Sequence, residues 1–226
     1  MYTRPRVSRA IVLAALAFAL TGCTAFAGLP GKTSTTTATT TTTTTTTRPS
    51  PYLTTKPTLE LSDRTTKPGA TLKFGEQAVV PFYSYYAKGL LGISVTVENV
   101  RARDSDIDGL HLKDEDKASL RGKTFFYVHE TLVNIDGVDL SSSTAPVLSP
   151  TTRSGGFPGT LLGFGNTGVT GCQDHAGAPV EFTAKGATFE SCRWYFGEDD
   201  DPIASLSYTD QPYERSDTGG VTWRDR

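Results

Sequence analysis

The pattern of residues 1–23 determines how much of this chain is left to fold, and in which redox environment. Arg4, Arg6 and Arg9 precede an unbroken apolar run at residues 10–20. A run of this length is typical of the hydrophobic part of a secretory signal, and it is shorter than the roughly 20 residues that span a bilayer. We therefore predict an export signal followed by a domain that folds in an oxidising compartment.

The export signal closes on Leu20-Thr21-Gly22-Cys23, which resembles a bacterial lipobox. Small residues before the cysteine admit a peptidase, and the Cys23 thiol is a nucleophile for attachment of a diacylglyceryl group. We predict that residues 1–22 are a lipoprotein signal peptide. Lipidated Cys23 would then hold the protein at the extracytoplasmic face of the cell membrane, because two acyl chains anchor a protein stably and one does not. The alternatives are an ordinary secreted protein in which Cys23 is incidental and an uncleaved membrane helix.

The charge balance bears on the partners of the mature chain. The sequence has 22 basic and 24 acidic residues, and the first 22 positions contain three of the arginines and no acid. The mature chain is therefore mildly acidic, whereas a nucleic-acid partner would require a basic face. We expect the membrane to be a partner through the lipid, together with a protein or a cell-wall polymer. We expect no nucleic acid, no cofactor and a monomeric domain.

Residues 23–56 comprise the lipidated cysteine and a threonine- and proline-rich tether. Threonine is uninterrupted from Thr39 to Thr47, and the segment contains little apolar surface. Such a composition cannot offset the entropy cost of ordering the chain, so we predict a disordered tether. Threonine-rich stretches with proline are also typical carriers of O-linked glycans, and the sequence leaves that question open.

The cysteines fit the predicted compartment. If Cys23 carries lipid, Cys172 and Cys192 remain as an even pair, and a disulfide between them is the favoured state in an oxidising compartment. The alternative is two free buried thiols. The cysteines lack the spacing of a zinc site.

The remaining residues, 57–226, are long enough for one domain, and their periodicity is that of strands. Ile93, Val95 and Val97 alternate with polar residues, which predicts a strand with one buried face. The segment 124–134 is rich in aromatic and β-branched residues and alternates poorly, which predicts a strand buried on both faces. Further strands are predicted at 78–83, 180–183, 193–196, 203–208 and 220–224, and a turn or two of helix is predicted at 113–120. Short strands separated by glycine and proline predict an all-β fold, an antiparallel β-sandwich.

Several of these segments resemble a known family of domains. These are Leu72-Lys73-Phe74-Gly75-Glu76, the strand 93–97, the segment 125–137 and the closing segments 192–196, 203–208 and 221–223. In them the chain resembles the immunoglobulin-like, DUF4352-like (telokin-like) lipoprotein domains of actinobacteria. The resemblance covers about residues 70–225. It implies an immunoglobulin-like sandwich and an extracellular location, and it implies no activity. The chain departs from the family pattern by a long insert at 141–157.

An acidic segment matches the spacing of a calcium-binding loop. In such a loop, alternate carboxylates and a final bidentate glutamate surround the calcium ion. The segment fits this pattern with Asp104, Asp106, Asp108 and Gly109, and with Glu115 at its twelfth position. The preceding segment reads as a strand where such a loop has a helix. The alternative is a solvated acidic loop between strands.

Two further features are candidates for function. Phe82, Tyr83, Tyr85 and Tyr86 form an aromatic cluster that would suit a sugar- or protein-binding platform, or belong partly to the core. The histidines at positions 111, 129 and 175 lack a recognisable nucleophile motif, so no catalytic residue is assigned. We therefore expect a membrane-anchored, non-catalytic binding module. A calcium-binding surface module and an extracytoplasmic hydrolase are the alternatives.

Overall fold

The computed structural model describes residues 52–161, 168–173, 177–215 and 219–225. The export signal, Cys23 and the threonine run lie outside these ranges. Within them the chain forms ten strands, two short α-helices and one 3₁₀ turn. In chain order these are β1 (Thr71–Lys73), β2 (Gln77–Tyr83), β3 (Lys88–Arg101), α1 (Asp104–Gly109), α2 (Asp114–Leu120), β4 (Thr124–Asn134), β5 (Ser149–Thr152), β6 (Gly168–Val169), β7 (Cys172–Gln173), β8 (Thr188–Gly197), β9 (Ile203–Tyr208), the 3₁₀ turn (Tyr213–Arg215) and β10 (Val221–Arg224).

Two four-stranded sheets pack face to face. One has the order β1-β10-β9-β5, and the other has the order β2-β3-β4-β8. Every pairing in them is antiparallel except that of β1 with β10. The predicted all-β sandwich is therefore confirmed. Three consecutive strands, β2 to β4, form a meander, whereas an immunoglobulin constant domain orders its sheets ABED and CFG. The immunoglobulin-like connectivity expected from the resemblance is thus not confirmed.

The sandwich core is built from alternate residues of facing strands. Ile93 and Val95 of β3 and Val128 of β4 belong to one buried cluster with Leu206 and Trp223 of the opposite sheet. Trp223 is fully buried, and its indole nitrogen donates a hydrogen bond of 2.8 Å to the carbonyl of Glu76. Because alternate side chains of a strand point to opposite faces, the alternation at residues 93–97 gives one buried and one solvent-facing row.

Strand β4 is buried on both faces, as its composition predicts. Phe126 and Val128 point into the sandwich core, whereas Phe125 and Tyr127 belong to a second buried cluster on the outer face. That second cluster also contains Ile107 of α1 and Leu120 of α2. The two helices and the β6–β7 hairpin contribute to this additional layer over one end of the meander sheet. No helix among the described residues is long and apolar enough to cross a bilayer.

One predicted strand is wrong, and several short elements were not predicted. The segment 180–183 forms turns: Phe182 donates its amide to the carbonyl of Pro179, and Val180 is exposed. Only Phe182 is anchored in the core, so this segment lacks the alternating burial that a strand needs. Strands β1, β5, β6 and β7 and helix α1 have two to six residues each, too few to show a period. Strand β5 lies inside the long insert at 141–157.

Cys172 and Cys192 form the predicted disulfide, with a Cα–Cα distance of 5.2 Å. The bond joins β7 to β8, and both cysteines are buried in the second cluster. It therefore fastens the additional layer to the outer face of the sandwich.

We expect the double replacement Cys172→Ala with Cys192→Ala to lower the free energy of unfolding by about 3 kcal/mol, since a crosslink over a loop of this size restricts the unfolded chain. Chemical denaturation followed by circular dichroism measures the loss. Reductant should shift the unfolding midpoint of the wild-type protein and leave that of the double variant unchanged. A wild-type midpoint insensitive to complete reduction would contradict the prediction.

Candidate functional site

A pocket of about 290 Å³ opens at one end of the sandwich. Its walls come from residues 82–85 at the end of β2 and the following turn, from residues 143–147 before β5, and from Asp210 after β9. These three segments are far apart in sequence and meet because both sheets end here. Loops held at the end of a rigid sandwich are a common place for a binding site.

Three of the four residues of the predicted aromatic cluster line this pocket. Phe82 also packs against the sandwich core, whereas Tyr85 is 64% exposed. Tyr86 does not line the pocket; its ring stacks at 5.0 Å on the ring of Tyr52. The cluster therefore divides into core-supported and solvent-facing rings, and the solvent-facing rings are available to a ligand.

The serines of the pocket wall are used to hold the loops. Ser84 donates from its hydroxyl to the carbonyl of Asp139 at 2.5 Å, and the same oxygen accepts the amides of Tyr86 and Ala87. Ser143 donates to the carbonyl of Leu140 at 2.5 Å. Because these hydroxyls already bond to the backbone, they position the turn and the loop and are not placed as nucleophiles.

The loop wall of the pocket combines three apolar residues, 145–147, with Ser143 and the exposed Thr144. Ala145 is buried, and its carbonyl accepts a hydrogen bond of 2.7 Å from the Arg193 guanidinium of β8. That bond fixes the loop against the meander sheet. Val147, two residues on, is 66% exposed and contributes a bare apolar surface to the pocket.

Asp210 supplies the only ionisable carboxylate among the described residues that line the pocket. Partial burial raises its pKa above the ordinary value, and the charge of Glu214 acts in the same direction, while the charge of Lys56 lowers it. The carboxylate thus lies in a partly desolvated environment close to an ammonium group of the same chain.

The described end of the tether runs past the same pocket. The amide of Leu53 donates to the carbonyl of Tyr85 at 2.7 Å. The Lys56 ammonium lies 5.9 Å from the centre of the Tyr83 ring, within the range of a cation–π interaction. Residues 52–56 are therefore in contact with the pocket wall, which places the point of attachment to the predicted tether beside the pocket.

The chain shows no significant match to any protein-family model, curated protein sequence or solved structure.

The residues of the predicted calcium loop do not form a loop. Asp104 starts helix α1, and Glu115 lies on α2 with its carboxylate 3.9 Å from Lys113. Asp104 and Asp108 both pair with the Arg121 guanidinium, at 2.8 and 2.6 Å. No group of three or more metal-ligating side chains occurs among the described residues. Calcium binding here stays a prediction, and it would require Arg121 to give up both carboxylates.

Asp106 points away from the other acids of that segment. Burial acts to raise its pKa, but hydrogen bonds from the hydroxyl and amide of Thr170 and from Arg103 outweigh burial and lower it. The Thr170 hydroxyl donates at 2.7 Å and the Arg103 guanidinium at 2.9 Å. Asp106 is therefore an ionised anchor that ties helix α1 to the turn between β6 and β7.

The histidines are not brought together within the described residues. His129 lies on the outer face of β4, with Nε2 3.7 Å from a carboxylate oxygen of Glu98 on β3. It lines a shallow groove of about 390 Å³ together with Gln173, Glu190 and the disulfide residue Cys192. His111 is exposed in the turn between the helices, and His175 lies outside the described residues. The predicted hydrolase alternative therefore stays a prediction, with no assigned nucleophile.

Sequence reasoning found the aromatic wall of the pocket and missed the rest of it. The adjacency of four aromatic residues at 82–86 was the signal for that wall. Asp210 and the loop residues 143–147 carry no comparable local signal, because only the closure of the sandwich brings them to the rings. The exposed Val147 was the one available clue, as an apolar residue in a loop otherwise rich in serine and threonine.

Proposed function

We propose that this protein is a lipid-anchored surface lipoprotein whose β-sandwich is a non-catalytic binding module, with the aromatic pocket as its ligand site. The observation that carries the proposal is the pocket itself. Three aromatic residues, a loop with three apolar residues and one carboxylate line a cavity of about 290 Å³. Pockets that bind small ligands or side chains are typically apolar, with a few placed polar groups.

The chemistry of the lining favours binding over catalysis. Among the described residues, the lining of the pocket includes no histidine, cysteine or lysine, and Ser84 and Ser143 donate to backbone carbonyls. General acid–base or nucleophilic catalysis needs a base within hydrogen-bond reach of a nucleophile. The rigid rings and the fixed loop instead supply contact area that loses little conformational freedom when a partner binds.

The proposed lipid anchor would determine where in the cell this binding module meets its ligand. A lipid at Cys23 and a flexible tether of about 30 residues with a root-mean-square span of roughly 30 Å would keep the domain near the membrane surface. The described end of that tether lies against the pocket wall through Leu53, which bonds to Tyr85, and Lys56, which lies near the Tyr83 ring. The proposed ligand is therefore one present at the outer face of the membrane.

A comparison of capture by pocket variants tests this function. The purified chain is immobilised and exposed to envelope extract, in the wild-type form, as Val147→Arg and as the control Phe157→Ala. Val147 and Phe157 are both exposed apolar residues, but only Val147 lines the pocket. We expect the wild type and Phe157→Ala to retain the same molecule, and Val147→Arg to lose it, because the arginine fills and charges the pocket.

The same set of baits can overturn the proposal. Equal retention by all three would place the ligand elsewhere on the molecule. Turnover of the captured molecule by the wild type would replace the binding function with the enzymatic alternative.

A further inference from the structure

We propose that the aromatic pocket recognises an alkylammonium group, that is, a positively charged nitrogen carried on a short apolar stem. The inference rests on the function proposed above and names the ligand chemistry of that site. Three features of the pocket carry it: the aromatic residues of its lining, one partly desolvated carboxylate, and the ammonium of Lys56 that the chain itself places over the Tyr83 ring.

The rings and the carboxylate are the two groups that a desolvated ammonium needs. Aromatic faces attract cations through the ring quadrupole, and this attraction strengthens where water is excluded. Tyr83 and Tyr85 line the pocket together with Phe82, and Asp210 is at its edge. A neutral sugar or an anionic ligand would bring no positive charge to the Asp210 carboxylate, whereas an ammonium would add to the compensation that the more distant Lys56 charge already provides.

The apolar wall selects for the stem of such a ligand. Ala145, Pro146 and Val147 face a cavity of about 290 Å³, large enough for a trimethylammonium or a short alkyl chain. The wall serines donate to the carbonyls of Asp139 and Leu140, so they do not compete for the charge. An alkylammonium thus matches both halves of the lining.

The Lys56 side chain of the same chain already places an ammonium group near the aromatic residues of the pocket. Lys56 lies 5.9 Å from the centre of the Tyr83 ring, and its charge acts on the Asp210 carboxylate. The Tyr83 ring therefore already contacts one ammonium, which comes from the neighbouring cleft formed by residues 56–59 and 211–212 and is near enough to act on the Asp210 charge. Because Lys56 adds positive charge at this edge, it should oppose a second cation, and its removal should favour the external ligand.

Nuclear magnetic resonance titration of the full chain in a non-ionic detergent tests the proposal. The probes are choline, cadaverine and 3,3-dimethylbutan-1-ol, which has the shape of choline without its charge. We expect saturable shifts that map to residues 82–85 and 143–147 with at least one of the two ammonium probes, and none with the neutral alcohol. Vesicles of phosphatidylcholine then distinguish a lipid headgroup from a free amine as the source of the group.

Matched variants assign the binding to the pocket. Asp210→Asn and Tyr85→Ala should each weaken binding by about fivefold, the size of effect expected for a partly exposed cation–π or charge contact. Asp200→Asn and Phe157→Ala, exposed residues away from the pocket, should leave it unchanged. Lys56→Gln should strengthen binding by about two- to fivefold.

Three results would overturn the ammonium assignment. These are equal binding of the neutral alcohol, no shift with either ammonium probe, and weaker binding by Lys56→Gln. Each is distinguishable from failure of the proposed function, because Val147→Arg would still abolish envelope capture if the pocket bound a ligand of different chemistry.

Discussion

Replacing Trp223 by alanine is expected to lower the free energy of unfolding by about 3–5 kcal/mol, the range found for truncation of a large buried aromatic residue. Trp223 is fully buried on β10, in the core between the two sheets. Its removal leaves a cavity and also leaves the carbonyl of Glu76 without its indole donor. Since domains are stable by about 5–15 kcal/mol, this single change would remove a large share of the total.

Two control variants separate the contributions to that loss. Trp223→Phe retains most of the ring and deletes the hydrogen bond, so we expect a loss of about 1–3 kcal/mol. Phe157→Ala removes an aromatic ring that is 82% exposed and should stay within about 0.5 kcal/mol of wild type. Urea denaturation followed by far-ultraviolet circular dichroism measures all three. A loss for Trp223→Ala no larger than that for Phe157→Ala would contradict the packing described for the core.

The predicted strands that match the structure are those whose buried residues form a recognisable apolar pattern in the local sequence. Strand β4 runs from Thr124 to Asn134, the predicted bounds, because its aromatic and β-branched residues fill one cluster on each face of the sheet. Strand β9 likewise spans residues 203–208 as predicted. A local sequence pattern does not show which distant strand a segment pairs with, so strands that depend on such pairing were missed. Strand β5 is a polar edge strand whose existence depends on β9, and the parallel pairing of β1 with β10 joins the two ends of the domain.

The segments 180–183 and 104–115 both fold differently from the local structure that their sequences suggested, and for a common physical reason. In both segments the sequence matched a template whose geometry depends on groups elsewhere in the fold. Val180 is exposed because its segment only anchors Phe182 in the core. The acids at 104 and 108 face Arg121, which follows helix α2, so a spacing that suits a cation instead serves ion pairs. Exposed pairs of this kind contribute little stability, and they still determine where the carboxylates point.

Residues that are close in sequence predicted one part of the pocket and not the rest. Four aromatic residues within the segment 82–86 predicted a platform, and three of them line the pocket. The one carboxylate among the described lining residues is Asp210, more than a hundred residues away in the chain. Chemical specificity of such a site therefore depends on tertiary closure, even where its contact surface is visible in one short segment.

Replacing Cys23 by alanine is expected to release the protein from the membrane. Under the proposed anchoring, the thiol of Cys23 is the sole attachment point for the two acyl chains that hold the protein stably, and alanine cannot form the thioether. Metabolic labelling with an alkyne-bearing palmitate analogue should label the wild type and fail to label Cys23→Ala. In fractionation the variant should move from the membrane to the soluble fraction. The Cys172→Ala, Cys192→Ala double variant should stay labelled and membrane-bound, because the two cysteines that it lacks form the disulfide of the folded domain.

Membrane retention of Cys23→Ala without label would favour an uncleaved helix at residues 10–20. Wild-type protein recovered from the medium, starting beyond position 23, would favour ordinary secretion.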